Sequence, residues 1–354
     1  MTHGTNASSP AYQWSRIAAT DLDWWNRRLM QSDAAIQQLP CFAESLHQPC
    51  CRAIYVFCGP AQDPIAYACV RTMAGAPIKI GLVFRGPVLL SAAAPPRQIL
   101  ASLHAWAARD GYVFLRFSHW DTQLLDAVAE AAPDHERADA FPFLKDCDSE
   151  LTVALTHDDA SMLGRFSRLR APQPERRTGD GLRGSRRGSG GRPRRGLAAV
   201  PQAASAQASP GAEARFVELH RRAAQHAGAR VYTACLDQRP IQFILVIRAG
   251  ITAEYWMGAI DLDALGGRAS PGVLLHWRAM RDFAAMGCTR YNLGTRSGSV
   301  LRFKQKFRPS ERHIAPVTVI IEPHLYRCWR WLALEVVAPI WPAVLPWLRA
   351  IVSR

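Results

Sequence analysis

Lysine is scarce in this chain of 354 residues, since only four of its 43 basic side chains are lysines. Two of the four, Lys304 and Lys306, stand two positions apart and are bracketed by Phe303 and Phe307. Lysine offers a compact, mobile ammonium, whereas arginine offers a broad planar fork. A lysine pair in a chain that otherwise uses arginine marks this stretch as a candidate site; the alternative is a chance pair on a solvated face.

The chain has no C-x-x-C motif, although it contains nine cysteines, including the adjacent Cys50 and Cys51. Cysteine and histidine do not occur at the spacings typical of zinc sites. Such cysteine usage is not typical of a disulfide-stabilised secreted protein. We therefore expect no disulfide framework, no bound metal and a cytoplasmic location. The N-terminal residues fit this expectation, because they lack a basic region followed by an apolar core.

Positive charge is abundant but unevenly spread. The net charge is +14, yet residues 165–195 alone hold eleven arginines and two acidic residues, a net of +9, which leaves +5 for all other residues. Overall charge therefore does not by itself establish a nucleic-acid partner.

The basic residues belong to a longer stretch, 166–214, that is rich in Arg, Gly, Pro, Ser and Ala. Few of its residues are apolar, so burial cannot offset the entropy lost on ordering, and we predict a flexible linker. Two alternatives stay open for this stretch: a basic arm that grips phosphate, and a reading-frame disturbance in the coding sequence. A structureless insert of this length is unusual inside a compact enzyme.

The chain repeats a pattern of strand, helix and strand. Pro64, Pro95 and Gly111 are each followed 176 positions later by the same residue type. In both copies the first proline opens an apolar strand (63–75 and 239–250), and the second precedes an amphipathic helix. The glycine then ends the helix before another strand. We therefore predict two similar α/β domains with mixed sheets.

The end of the second copy, "YNLGTRSGSVLRFKQKF", resembles the peptidoglycan-bridge aminoacyltransferases of the FemA/FemB/FemX type, which consist of two GNAT-superfamily acyltransferase domains. Two N-terminal stretches, 24–45 and 79–89, also resemble that family, the second through its "RGP" strand end. The residues that match the family's C-terminal motif are Tyr291, Gly294, Phe303, Lys304 and Phe307.

This resemblance implies tandem GNAT-like domains at residues 21–165 and 215–322, joined by the linker 166–214. Residues 1–20 would be a disordered N-terminus, and residues 323–354 an aromatic, apolar tail. The implied activity is transfer of an acyl or aminoacyl group to an amine, on a peptidoglycan or polysaccharide precursor of the cell envelope. The donor would be acyl-CoA or aminoacyl-tRNA, so that tRNA is an expected partner in the second case.

The chain departs from the family pattern in three places. Asn292 stands where relatives usually have an aspartate, and Arg308-Pro309 replaces a glycine. The stretch "GRFSR" (164–168) begins like the family's basic helix and then passes into the linker. Asn292 and the break after "GRFSR" support a rival hypothesis, a non-catalytic module that binds an anionic glycolipid or RNA. A degraded gene product that folds poorly is a third possibility.

Acyl transfer requires a positioned donor, a deprotonated amine and stabilisation of the oxyanion. Lys304 and Tyr291 are the predicted catalytic residues. On a helix, side chains two positions apart diverge, so only one of Lys304 and Lys306 can face a site; the resemblance selects Lys304. Tyr291 could equally be an interior tyrosine, and His276 a satisfied neighbour, so we assign no general base.

Binding of the donor's phosphate is predicted at the start of the second helix, where unpaired N–H groups favour an anion. An ordinary helix cap with a proline in the first turn is the alternative there. Arg85 is predicted to meet a substrate diphosphate from the first domain. The predicted donor-binding residues are Arg268, Ser270, Gly272, Lys306 and Arg85.

The C-terminal tail raises the question of a membrane. Residues 331–348 are nearly all apolar, but Glu335 and three prolines argue against a spanning helix. Tryptophans with flanking arginines suit a segment that lies on a lipid surface. We therefore weigh peripheral contact with the inner face of the plasma membrane against a tail packed on the second domain.

Overall fold

The computed structural model describes residues 12–45, 51–75, 78–137, 147–158, 183–186, 228–296 and 298–340. The strands are β1 Trp14–Arg16, β2 Cys51–Cys58, β3 Ala66–Gly75, β4 Ile78–Phe84, β5 Val88–Leu89, β6 Phe114–His119, β7 His135–Glu136, β8 Ser149–Ala154, β9 Arg183–Arg186, β10 Ala229–Leu236, β11 Arg239–Ala249, β12 Thr252–Ile260, β13 Arg290–Thr295, β14 Ser310–His313 and β15 Ala315–Ile320. The α-helices are α1 Leu22–Leu29, α2 Pro40–Ser45, α3 Pro96–Arg109, α4 Thr122–Glu130, α5 Leu262–Leu265, α6 Gly272–Ala285, α7 Gly298–Lys304 and α8 Pro323–Trp331.

The chain forms two compact units with one mixed sheet each. The first unit comprises described residues within 1–26, 37–146 and 313–350, and the second those within 27–36 and 147–312. The first sheet has the strand order β1-β2-β3-β4-β6-β15-β7, with β5 paired to β3, and the second has the order β14-β8-β13-β12-β11-β10-β9. The predicted mixed α/β fold with two similar domains is therefore confirmed.

The two units repeat the same elements at one constant spacing. Helices α3 and α6 both have 14 residues, and both their first and their last residues are 176 positions apart. The starts of β6 and β13, and those of α4 and α7, have the same separation. Gly111 and Gly287, just beyond the two helices, adopt φ of 78° and 87°, a conformation that favours glycine. The predicted duplication is thus a structural one.

Each unit buries an apolar helix face against its sheet. Helix α6 buries Leu275, Ala279, Met280 and Phe283, which recur at helical spacing on one side. In the first unit, α3 buries Ile99, Leu103 and further residues of the same face in an equivalent way. These faces form the centres of two separate hydrophobic cores.

The units are not two contiguous stretches of sequence, because each sheet contains a strand from the other half. Strand β8 lies within predicted domain 21–165 but pairs with β13 of the second sheet. Strand β15 lies within predicted domain 215–322 but pairs with β6 of the first sheet. Periodicity predicts that a strand exists and which side is apolar, but not the sheet that it joins, so the observed units differ from the predicted boundaries.

Two further segments differ from the sequence prediction. Residues 14–16, assigned to a disordered N-terminus, form β1 on β2, because the Trp14 indole is buried and donates to Ile99 O and Ser102 Oγ. Residues 183–186, assigned to the linker, form β9, which pairs with β10 and ends the second sheet. The other residues of 166–214 lie outside the described part of the chain, and the "GRFSR" stretch lies there too.

The start of the C-terminal tail packs on the first unit. The alternative to membrane contact, a tail packed on the second domain, is therefore wrong for these residues. Helix α8 continues as a π-helix, Leu332–Val337. Tyr326 and Ala333 are buried against Phe114 and other residues of β4 and β6, and Tyr326 Oη donates to Glu136 over 2.5 Å. None of the helices in the described residues has the length and apolar character needed to cross a membrane.

Candidate active site

Strands β12 and β13 of the second sheet pair in parallel over three residues and then part. Thr252, Ala253 and Glu254 lie opposite Arg290, Tyr291 and Asn292, whereas β12 runs on to Ile260 and β13 to Thr295. We call the space between 255–260 of β12 and 293–295 of β13 the gap. Along the gap, the described pairing of β12 is with β11 alone. The described residues therefore give this edge of β12 no strand partner along the gap.

Both strands are irregular at the point where they part. In β12, Leu245 pairs with Met257 and Val246 with Tyr255, so Trp256 is the extra residue of a β-bulge. In β13, Gly294 has φ of 77° and the register against β8 shifts between Asn292 and Thr295. Bulges re-aim backbone groups, and they are common beside functional sites.

Lys304 places its ammonium at the edge of the gap. Its Nζ donates to Thr295 O over 2.6 Å, and a Cβ added to Gly294 would be 3.9 Å from both Nζ and Tyr255 O. The residue is 6% exposed, and burial lowers its pKa. Lys306 is instead exposed, with Nζ 5.9 Å from the Phe303 ring centre. Of the pair, Lys304 is thus buried and Lys306 exposed, whereas the prediction that Lys304 faces an active site stays a prediction.

Beneath Lys304 lies an aromatic cluster around His276 of α6. The imidazole Nδ1 and Tyr291 Oη are 2.9 Å apart, and the ring centres of Tyr255, Phe307 and Phe303 lie 4.6, 5.4 and 5.5 Å from that of His276. Burial, and then the nearby Lys304 ammonium, lower the pKa of His276 to about 3. His276 is therefore neutral at physiological pH, as a satisfied neighbour and not a solvent-exposed base.

The start of α6 meets α7 through a glycine. A Cβ on Gly272 would approach Gln242 Nε2 to 2.9 Å and Phe303 Cζ to 3.2 Å. Ser270 Oγ accepts the Gly272 N–H at 3.2 Å and donates to Gln242 Oε1 at 3.0 Å. The start of α6 is thus in contact with α7, the helix that carries Lys304, through the Phe303 ring.

The structure brings five of the predicted site residues close to Phe303 and His276 and leaves Arg268 and Arg85 apart. Tyr291 is hydrogen-bonded to His276, and the Lys306 ammonium lies over the Phe303 ring. Gly272 lies against Phe303 and is bonded to Ser270, and Lys304 follows Phe303 in α7. Arg268 and Lys306 are on the exposed surface. Tyr291 is fully buried, as an interior tyrosine would be. Its catalytic role and the donor-binding roles of the others stay predictions.

Arg85 belongs to the first unit, at the end of β4. It is 2% exposed, has φ of 56° and lies with its guanidinium 6.0 Å from the Trp120 ring centre. Its backbone N–H donates to Ser118 O over 2.7 Å. In this conformation little of the guanidinium is accessible to a diphosphate, and its predicted role is likewise untested.

Sequence reasoning missed a set of buried polar residues beside the gap. Asn292 Nδ2 donates to Glu150 Oε2 over 3.0 Å, and Glu254 lies opposite Asn292 in the last parallel pair. All three side chains are buried. A signal was present in the sequence, because acidic residues inside apolar strands are seldom buried without a partner.

A match to a known protein family falls on the second unit. Residues 193–305 match the acetyltransferase (GNAT) domain family, a range that contains β12, β13, α6 and the lysine helix α7. The match begins inside the predicted linker. None of the curated proteins matches the chain.

Similar solved structures cover most of the chain at low identity. FemX has a TM-score of 0.67 at 11% identity and covers 90% of this chain and 100% of its own. The C-terminal domain of a putative lysylphosphatidylglycerol synthetase from Agrobacterium fabrum has a TM-score of 0.52 at 15% identity, covering 90% and 96%. L-PGS from Bacillus licheniformis has a TM-score of 0.51 at 11% identity, covering 91% and 97%.

The predicted resemblance to Fem-type proteins is therefore confirmed at the level of the fold, including the tandem GNAT-like architecture. The domain match confirms the predicted enzyme class, an acyltransferase. The match falls on the unit that contains the gap and Lys304.

Proposed function

We propose that the second unit transfers an acyl group from an acyl-CoA donor to an amine on a precursor of the cell envelope. The observation that carries this proposal is the parting of β12 and β13 with the Lys304 ammonium at the edge of the gap. A thioester carbonyl placed in the gap would meet the backbone N–H groups of β12. The match to a GNAT acetyltransferase domain supports acyl-CoA over aminoacyl-tRNA.

The chemistry asks little of the protein beyond positioning and electrostatics. The neutral amine attacks the thioester carbonyl, the C–N bond forms, and negative charge develops on the carbonyl oxygen. The C–S bond then breaks, CoA leaves as its thiolate, and the proton lost by the amine nitrogen protonates that thiolate, so that the products are the amide and the free CoA thiol. Backbone N–H groups in the gap and the Lys304 ammonium stabilise the developing charge, an effect that is larger in a partly buried site than in water. In this proposal, N–H groups at the start of α6, beside Ser270 and Gly272, donate to the phosphate oxygens of the donor.

The acceptor class rests on the fold and on what the similar structures are named for. One of these is a putative lysylphosphatidylglycerol synthetase, whose named product is an aminoacylated lipid. This similarity supports an acceptor of the cell envelope; phosphatidylglycerol offers hydroxyl groups and no amine, so the amine of the acceptor is our own proposal. Aminoacyl-tRNA remains the second donor to be tested.

The test is to incubate the purified full chain with acetyl-CoA, longer acyl-CoAs or aminoacyl-tRNA, each with an amine-bearing peptidoglycan precursor. Donor-dependent acylation of the amine, detected by mass spectrometry, is the expected result with acyl-CoA. If product formed only with aminoacyl-tRNA, then aminoacyl-tRNA and not acyl-CoA would be the donor. Binding of a donor with no product from any of them would favour the rival, non-catalytic module.

We further propose that the C-terminal segment holds the enzyme at the inner face of the plasma membrane. Its inner side is anchored on the first unit, while five large apolar side chains face outward. Trp331 is the most exposed, at 62%. Arg327 is exposed on the same helix, and Arg330 is partly so, which would favour an anionic surface; Glu335 lies among the exposed residues and opposes it. The other four outward apolar residues are Leu325, Leu332, Val336 and Ile340.

Co-sedimentation with vesicles of phosphatidylglycerol or of phosphatidylcholine tests this surface. Trp331→Glu should abolish binding to the anionic vesicles, because it places a charge in the apolar side of an interfacial helix. Leu262→Glu is the matched control, since Leu262 is 66% exposed in the second unit. Equal binding of both variants would remove the segment from the proposal.

A further inference from the structure

Asn292 is buried where the two strands part, and its amide uses both of its ends. Nδ2 donates to Glu150 Oε2 over 3.0 Å, and Oδ1 accepts the N–H of Gly294 over 2.8 Å. Because a carboxylate only accepts and a backbone N–H only donates, these partners determine which end of the amide faces which. Asn292 and Glu150 are each 4% exposed.

These two hydrogen bonds span the irregular turn in β13. Asn292 lies opposite Thr152, and Thr295 lies opposite Glu150. Residues 293 and 294 of β13 therefore stand against the single residue 151 of β8. Gly294 enters the left-handed region within this bulge. The bulge ends at Thr295, whose carbonyl accepts the Lys304 ammonium. The amide therefore holds the segment that determines where that carbonyl points.

The charges around position 292 favour a neutral side chain. Glu150 lies on one side, and Glu254 of β12 lies on the other in the last parallel pair. Among the remaining charged groups is Arg312 of β14. Its pKa is lowered by burial and by Arg290, while Glu150, Asp33 and Glu254 raise it. A carboxylate at 292 would face two others inside the fold, which an amide avoids.

We propose that Asn292 is a positioning residue of the second unit's site, and that Glu150 is the charged group that orients it. The amide aligns Lys304 through the bulge. Asn292, in place of the aspartate usual in relatives, is therefore suited to this site and is not a sign of lost activity. The link to turnover rests on the proposed function. The link to Lys304 does not.

Replacing Asn292 by aspartate tests the proposal, because the new carboxylate cannot donate to Glu150. The bulge should then loosen. We expect Lys304 to react about fivefold faster with an amine reagent, since a less buried amine is more accessible; the accompanying rise of its pKa lowers the fraction of reactive neutral amine and offsets only part of this gain. Mass spectrometry can follow this residue by residue, because the chain has four lysines. Lys306 should react at its original rate and so serves as the internal control.

The pH dependence of stability has a definite sign in this variant. Two like charges raise the pKa of a buried carboxyl, so the folded chain binds more protons than the unfolded one. Stability should therefore fall as the pH rises above about 4, the ordinary pKa of an aspartate in the unfolded chain. With an active donor, kcat should fall about tenfold while KM for the donor changes less.

The exchanged pair, Asn292→Asp with Glu150→Gln, decides the proposal. The new amide at position 150 can donate to the new carboxylate at position 292, so the hydrogen bond between these positions returns with its direction reversed. The other oxygen of that carboxylate still accepts the Gly294 N–H, so this second hydrogen bond is unchanged. Lys304 reactivity should return to that of the original chain. If the single variant does not fold, a folded exchanged pair with restored reactivity supports the proposal. An unfolded exchanged pair, or unchanged Lys304 reactivity in Asn292→Asp, overturns it.

Because Lys304 reactivity is measured without donor or acceptor, its outcome is independent of the proposed activity. Restored reactivity without any acyl transfer would retain the positioning role and reject the acyltransferase proposal for this site. The opposite result, active enzyme with a Lys304 that ignores position 292, would reject the positioning role alone.

Discussion

Val128 of the first unit and Lys304 of the second occupy the same place in two equivalent helices, 176 positions apart. Leu100 and Leu115 stand in the same way where the second unit has His276 and Tyr291. In the first unit, these three apolar side chains line a small cavity together. In the second unit, Lys304, His276 and Tyr291 stand at these places, with His276 and Tyr291 hydrogen-bonded to each other in the aromatic cluster described above.

The strands above these clusters differ too. In the first unit, β4 and β6 pair in parallel from Ile80–Phe114 to Phe84–Ser118, and the Arg85 N–H continues the pairing to Ser118 O. In the second unit, the equivalent pairing ends at Glu254–Asn292. A fully paired strand offers few free backbone groups, whereas a parted strand offers several. The first unit thus keeps the architecture of the duplicated domain without its open site.

A lysine at the first unit's position should be the most damaging change of those that test this comparison. Val128→Lys buries an ammonium among apolar side chains, with the strands above it closed. We expect a loss of about 3 kcal/mol in the free energy of unfolding. Urea denaturation measures it. Val128→Met is the control for size, and equal losses for the two variants would show that charge is not what distinguishes the two places.

Removing Lys304 of the second unit should lower activity and leave stability intact. Lys304→Met should lower kcat/KM at least tenfold, which corresponds to about 1.4 kcal/mol of transition-state stabilisation. The melting temperature should stay equal or rise, because a buried ammonium with a lowered pKa opposes folding at pH values below that pKa. Arg302→Met, an exposed basic residue on the same helix with no assigned role, serves as the control, with turnover unchanged.

The pH profile provides a second check on Lys304. If the ammonium form stabilises the transition state, activity should decline as the pH rises through its pKa, which burial lowers. That alkaline limb should therefore begin below the range of an ordinary lysine and disappear in Lys304→Met. A neutral His276, with a pKa near about 3, contributes no limb at physiological pH.

The smallest effect is expected at the helix starts. Position 272 is a glycine in the second unit, whereas Pro96, which has no N–H, stands at the equivalent place in the first. Gly272→Ala brings a methyl group against Gln242 and Phe303, and we expect the dissociation constant of an acyl-CoA to rise about threefold. Calorimetry measures it. Pro96→Ala should leave donor binding unchanged; an equal effect there would place donor binding in both units.

Much of the fold follows from local sequence signals. The second proline and the glycine of each repeat lie at the limits of α3 and α6, because those residue types favour helix ends wherever they occur. Lys304 could be singled out because lysine is rare here and because the motif resembles a known family. The exchange of β8 and β15 could not be predicted, since strand pairing between distant segments leaves no local pattern.

The site was harder to predict than the fold. Asn292 differs from the family pattern, and its partner Glu150 is 142 positions away in sequence. Contacts at such separation depend on the register of the sheet and not on spacing along the chain. The gap itself arises where a strand stops pairing, which no residue type signals reliably.

The exchanged strands have a consequence for any cut made between them. A protease that cleaves between residues 187 and 227 would yield two fragments, the first holding β8 and the second holding β15. Each fragment would then carry an indispensable piece of its partner's sheet. The nicked protein should therefore run as one particle on a sizing column and come apart only in denaturant, and during synthesis the N-terminal sheet would stay unfinished until residue 320 had been made.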